Sequence, residues 1–137
     1  SPDGAQLSVT HGNDMYVGTA QNPLVQLLDL GGLTARYPAW SPDGTRLALA
    51  VRKTTNEPWR LAIYDLNSGQ LSFPDAPTNI GGLAGAPRQR LVFAAPSAAG
   101  QPQDIFMLDA TGSAANITNT PDAEEDLPAW SPDGHTA

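Results

Sequence analysis

The chain has 137 residues, carries fourteen acidic against seven basic side chains for a formal charge of −7, and contains no cysteine. That charge repels phosphate backbones and anionic lipid surfaces, so nucleic acid is not an expected partner. The missing thiols exclude disulfides, thiolate metal sites and cysteine nucleophiles. With 40% hydrophobic residues the chain can pack a core. It has no apolar run of the eighteen or so residues that a membrane span needs, so membrane insertion is not expected. Thirteen glycines and thirteen prolines fall in short clusters, and helical periodicity never lasts beyond a turn or two. This combination points to an all-β chain of many short strands joined by tight turns.

In chain order, residues 5–9 alternate polar and apolar and read as a strand. Residues 11–14 supply a turn, and further strands are expected over 15–19 and 24–28. The next unit is the clearest, with strands over 37–40, 46–51, 59–65 and 70–73. A third unit repeats the plan over 80–85, 90–94, 104–109 and 115–118. An acidic loop holding Asp122, Glu124, Glu125 and Asp126 leads to the end of the chain.

One stretch recurs. Pro38-Ala39-Trp40-Ser41-Pro42-Asp43-Gly44 returns as Pro128-Ala129-Trp130-Ser131-Pro132-Asp133-Gly134, Ser1-Pro2-Asp3-Gly4 opens the chain, and a degenerate copy runs from Gly85 to Phe93. In the motif Pro42 presets φ at the first corner, Asp43 can bind nearby backbone, and Gly44 accepts the left-handed conformation, which makes a β-hairpin. The serine position, or Ala86 in its place, falls at 1, 41, 86 and 131. A period of 40 to 45 residues carrying about four short strands is that of a β-propeller blade.

Trp40-Ser41-Pro42-Asp43-Gly44, followed by Ile63-Tyr64-Asp65-Leu66-Asn67-Ser68-Gly69 and matched later by Ile105-Phe106-Met107-Leu108-Asp109, resembles the TolB-type propeller repeat, the Pro-Asp relative of the WD40 repeats. The resemblance implies blades of four antiparallel strands, with the motif turn joining the innermost strand to the second. It also implies a non-catalytic scaffold that binds protein or peptide, in a periplasmic or other extracytoplasmic location. The third unit departs from the pattern, with Gly85 in place of Trp and Arg88-Gln89 in place of Asp-Gly, so a shorter first turn is expected there. The first unit has Val17-Gly18-Thr19 where the aromatic-Asp element is expected.

The expected division is blade one (outer strands) over 1–33, blade two over 34–76, blade three over 77–120, and the inner strand of a further blade over 121–137. Propellers close with four to eight blades, and about three are present. Completion to six is therefore expected, either by a second copy joined head to tail, since two such units close a ring, or as part of a longer chain.

No residue is put forward as catalytic, cofactor-binding or metal-ligating. Trp40 and Trp130 are expected to pack between blades. The acidic loop offers oxygen ligands but lacks the spacing and glycine of an EF-hand, and is expected to be solvated. His11 and His135 have no partner cluster at ligand spacing. Gly81-Gly82-Leu83-Ala84-Gly85 does not match dinucleotide-binding spacing. Asn116-Ile117-Thr118 satisfies a glycosylation sequon inside an expected strand. There is no nucleophile elbow, His-Glu-x-x-His or phosphate loop. The leading function is a non-catalytic scaffold. The alternative is the substrate-gating propeller of a prolyl-oligopeptidase-like peptidase, and a lectin-like propeller is a third possibility, disfavoured by only nine aromatic residues, mostly in strands.

Overall fold

The computed structural model describes residues 1–22, 25–86 and 90–131, and within them all regular structure is β. Strands β1 (Leu7–His11), β2 (Asp14–Gly18) and β3 (Gln26–Leu27) form a three-stranded sheet. Strands β4 (Thr34–Trp40), β5 (Arg46–Arg52), β6 (Arg60–Asp65) and β7 (Gln70–Ser72) form a four-stranded one. Strands β8 (Gly82–Ala86), β9 (Arg90–Pro96), β10 (Gln103–Leu108) and β11 (Ala114–Asn116) form a third. Each sheet is an antiparallel meander in sequence order. These are propeller blades, termed here blades one, two and three.

The structure adjusts several expected boundaries. The first hairpin is tighter than residues 11–14 suggest: His11 pairs with Asp14, leaving Gly12 and Asn13 as the loop, with Gly12 at φ 64°. Of the strand expected over 24–28, residue 24 lies outside the described residues, and among 25–28 the assigned strand is Gln26–Leu27. β4 starts three residues earlier than expected because its ladder continues to Thr34 opposite Arg52, past a bulge between Arg36 and Ala39. In blade two Trp40 pairs with Leu47, whereas in blade three Gly85 pairs with Leu91, so the third blade's first turn is shorter by one residue. The substituted turn residues 87–89, and the final Pro132-Asp133-Gly134 with His135, lie outside the described residues. The described part of the expected further inner strand, residues 121–131, has no assigned strand.

The blades stack face to face through two apolar clusters. Successive residues of a strand point to opposite faces, so β5 serves both clusters. Leu47, Leu49 and Val51 join Met15, Val17, Leu28 and Leu30 of blade one. Ala48 and Ala50 join Leu91, Phe93, Phe106 and Leu108 of blade three. Phe93 and Phe106 stack with centroids 5.6 Å apart. Each such side chain removed from water contributes about 1.5–3 kcal/mol. Trp40 packs against the cluster between blades one and two, which is the inter-blade role expected for it.

The glycines of β8 stand where backbone from either side leaves no room for a side chain, which accounts for the missing tryptophan at 85. A Cβ on Gly85 would stand 2.2 Å from the carbonyl oxygen of Trp40, and one on Gly82 would stand 3.2 Å from the Cα of Leu127. Backbone therefore approaches β8 closely on both sides, from β4 at Trp40 and from the segment around Leu127. Tyr37 and Leu127 occupy the same place in their copies of the motif, each just before Pro-Ala-Trp, and both are left-handed, at φ 54° and 49°.

Two substitutions separate these constraints. Gly85→Ala forces a methyl group against backbone that cannot swing aside, and should destabilise the fold by about 1–3 kcal/mol or more. Trp40→Ala should cost about 3 kcal/mol, the low end for a large aromatic because the ring is only partly buried. Urea unfolding read at constant slope measures both losses.

Candidate functional site

Hairpins β4–β5, β6–β7 and β10–β11 lie at one end of the blades, termed the turn end. In the first of these, Asp43 accepts hydrogen bonds from the Ser41 hydroxyl (2.6 Å), the Thr45 hydroxyl (2.8 Å) and the Thr45 N–H (3.0 Å). The Ser41 hydroxyl oxygen in turn accepts from the Arg46 N–H at 2.9 Å. The opening copy repeats this, with Ala5 N–H donating to Asp3 and Gln6 N–H donating to Ser1. Asp65 accepts from the N–H groups of Asn67 and Ser68, and Asp109 from those of Thr111 and Ser113. Donors converging on a carboxylate favour its charged form. The Ser41 hydroxyl and the Thr45 donors hold Asp43 down at about 2. Asp3, Asp65 and Asp109 are lowered in the same way, chiefly by Ser1, Ser68 and Thr111.

Between blades two and three this end opens into a cleft of about 240 Å³. Ala48, Ile63, Leu91 and Leu108 wall it, Gly85 and Trp40 contribute to its lining, and Arg46 and Arg90 carry its positive charge. Its other polar boundary is the Asp109–Gly112 turn. No single one of these residues stood out in the sequence as a site residue. The available signal was the absent tryptophan at 85, one large side chain fewer at the turn end of this interface.

The opposite end of the same interface is cationic and aromatic. The guanidinium carbon of Arg36 lies 3.9 Å from the Trp59 ring centroid and 4.6 Å from that of Tyr37. That of Arg52 lies 4.3 Å from the Trp59 ring. The β4–β5 ladder brings the two arginines together, since Thr34 is opposite Arg52 and Arg36 opposite Ala50. Trp59 is fixed by packing against the cluster between blades two and three, and by the Ile80 N–H donating to its carbonyl at 3.2 Å.

Blade three holds one buried carboxylate, Asp104, 5% exposed. It accepts from the Ser97 hydroxyl, the Asn116 side-chain amide (2.7 Å) and the Thr120 N–H (2.9 Å), which keep it below its ordinary value, Ser97 most of all. The sequon residues are thus structural: the Asn116 amide is committed to Asp104, and the Thr118 hydroxyl accepts from Ile105 N–H. The acidic loop is likewise tied to the blade. Glu124 accepts from Gln103 N–H, Glu125 N–H donates to Gln103, and the Glu125 carboxylate accepts from Thr120 and is lowered by Thr118 and Thr120. Among the described residues no group of three or more His, Asp or Glu could hold a metal ion. His11 sits edge-on to Tyr16 with centroids 6.4 Å apart.

The lowered Asp43 gives a pH dependence of defined sign. Its contribution is complete above the ordinary carboxylate value of 3.8 and disappears as pH falls through about 2. Asp43→Asn should therefore be less stable than the parent at pH 6, and the gap should close between pH 4 and pH 2 in a series of urea melts.

No family model and no curated protein matches the chain. Solved structures do. Putative TolB from Agrobacterium tumefaciens is 22% identical with a TM-score of 0.81, over 98% of this chain and 49% of that one. TolB from Acinetobacter baumannii is 18% identical with a TM-score of 0.79, over 97% of this chain and 34% of that one. Kuenenia stuttgartiensis hydrazine synthase is 17% identical with a TM-score of 0.68, over 98% of this chain and 46% of that one. The chain thus spans between a third and a half of the length of the structures it matches. Blade for blade, its fold is that of the TolB-type β-propeller.

Proposed function

We propose that the chain serves as a non-catalytic propeller scaffold that takes up a segment of a protein or peptide partner at the turn end between blades two and three, in an extracytoplasmic setting. Fold likeness alone does not decide this, since one of the similar structures is a synthase. The observation that carries the reading is the cleft. At about 240 Å³ it is smaller than the roughly 300–1,000 Å³ of pockets that enclose small-molecule substrates. Its apolar walls and cationic rim suit one large side chain of an extended segment. Selection of peptides from a random display library on the intact chain tests this. Enriched peptides should lose at least tenfold in affinity to Ala48→Leu, which fills the cleft wall, while keeping affinity for a distant change such as Thr54→Ala. Equal binding to both variants, or turnover of a peptide substrate, would overturn the reading.

Head-to-tail pairing with a second copy belongs to the same proposal. In blade two the second strand turns large residues, Leu47, Leu49 and Val51, to the preceding blade and Ala48 and Ala50 to the following one. Blade three repeats this with Leu91 and Phe93 on one face, Val92 and Ala94 on the other. Blade one keeps the rule: Val9 pairs with Tyr16 and Tyr16 with Leu27, on the face away from Met15 and Val17. On that face Leu7 and Leu27 are 42% and 54% exposed. Val92 and Ala94 are already buried within the chain, whereas the large face of blade one is the uncovered half of a blade interface and the surface on which a second copy would seat. Light scattering should give twice the formula mass of 14.3 kDa, and Leu7→Asp should return it to the single mass. A folded species at the single mass with parent sequence would exclude the pairing.

A further inference from the structure

Trp59 and Tyr37 pack against the cluster between blades two and three, and the Arg36–Trp59–Arg52 stack that they carry concentrates positive charge in an acidic chain. Two guanidiniums flank one indole at 3.9 and 4.3 Å, in a protein whose formal charge is −7. Cation–π contact compensates part of each charge, but does nothing for their mutual repulsion. Among the described residues neither guanidinium has a carboxylate at ion-pair distance. The acidic side chain of the intervening loop, Glu57, accepts instead from the Lys53 N–H at 3.2 Å. Arg52 donates to the Thr55 carbonyl at 3.0 Å, and the Nε of Arg36 is shut off from solvent with no acceptor.

The backbone beneath the stack is also strained. Tyr37, which stacks on Arg36, is left-handed at φ 54° and lies in the β4 bulge between Arg36 and Ala39. A non-glycine residue there is held against its backbone preference by its surroundings. The bulge re-aims Arg36 relative to the regular ladder. Planar guanidiniums held by ring faces have most of their rotamer freedom already spent, so a planar bidentate acceptor meets them at low entropic cost.

We propose that Arg36 and Arg52, held on Trp59 and Tyr37, form a carboxylate-binding site for an acidic side chain or chain terminus of a peptide. It lies at the end of the blade two–three interface opposite the cleft, and goes beyond the cleft reading without depending on it. The test is a titration of the intact, nitrogen-15-labelled chain with N-acetyl-glutamate and with a tetraglutamate peptide, at fixed ionic strength, following the Trp59 indole and the arginine Nε signals. Inorganic phosphate is titrated in parallel.

Saturable shifts at Trp59, Arg36 and Arg52 are expected, tighter for the peptide. Arg36→Lys, which keeps the charge and loses the planar fork, should weaken binding at least tenfold, and Arg52→Gln should do the same. Thr10→Ala, in blade one, should leave it unchanged, and the glutamate titration is read independently of peptide binding at the cleft, which separates failure here from failure of the cleft. If Arg36→Lys disturbs the fold, as its amide spectrum would reveal, Arg52→Gln carries the test. Absence of saturable shifts, equal binding by Arg36→Lys in a folded protein, or preference for phosphate over the carboxylates would each overturn the proposal.

Discussion

Both faces of a blade have to be covered, because the strand at its heart has no polar side. In β5 and β9 every residue between the terminal ones is buried. A sheet of this kind differs from the usual antiparallel meander, which keeps one face wet. Everything else follows from that requirement. Sheets stack as blades, the edges of β4 and β8 meet near the axis, and the polar work of the molecule is pushed to the two ends where strands reverse.

At those ends the acidic composition acquires a second meaning. Net charge read from the sequence concerns solubility and encounter, yet Asp3, Asp43, Asp65 and Asp109 are committed to the N–H groups of their own turns. Each takes the place of a backbone acceptor in a tight reversal, as aspartate commonly does. The two ends of the interface between blades two and three then differ in kind. One has a cleft with apolar walls beside such a turn, and the other has guanidiniums laid on rings.

The blade period, the four strands each of blades two and three and the inter-blade position of Trp40 were legible in the residues, because alternation and turn chemistry are local and repeat. What was not legible depended on contacts between units. Asp104 looked like an ordinary first residue of a strand, and only the meeting of Ser97, Asn116 and Thr120 around it makes it a buried hub. Arg36, Arg52 and Trp59 are far enough apart in the chain that nothing in their spacing announces a stack. Their association needs the β4–β5 register, which a bulge sets. The cleft was hinted at by Gly85, although a missing side chain signals space only once its neighbour is known.

Gly85 also bears on whether the repeats are interchangeable. The carbonyl of Trp40 occupies the space that any side chain at 85 would need, so placing the motif's tryptophan there would require the neighbouring strand to retreat. A copy of blade two would not fit where blade three stands: position 85 is matched to the strand beside it, and the repeat is a set of fitted parts rather than of equivalent modules.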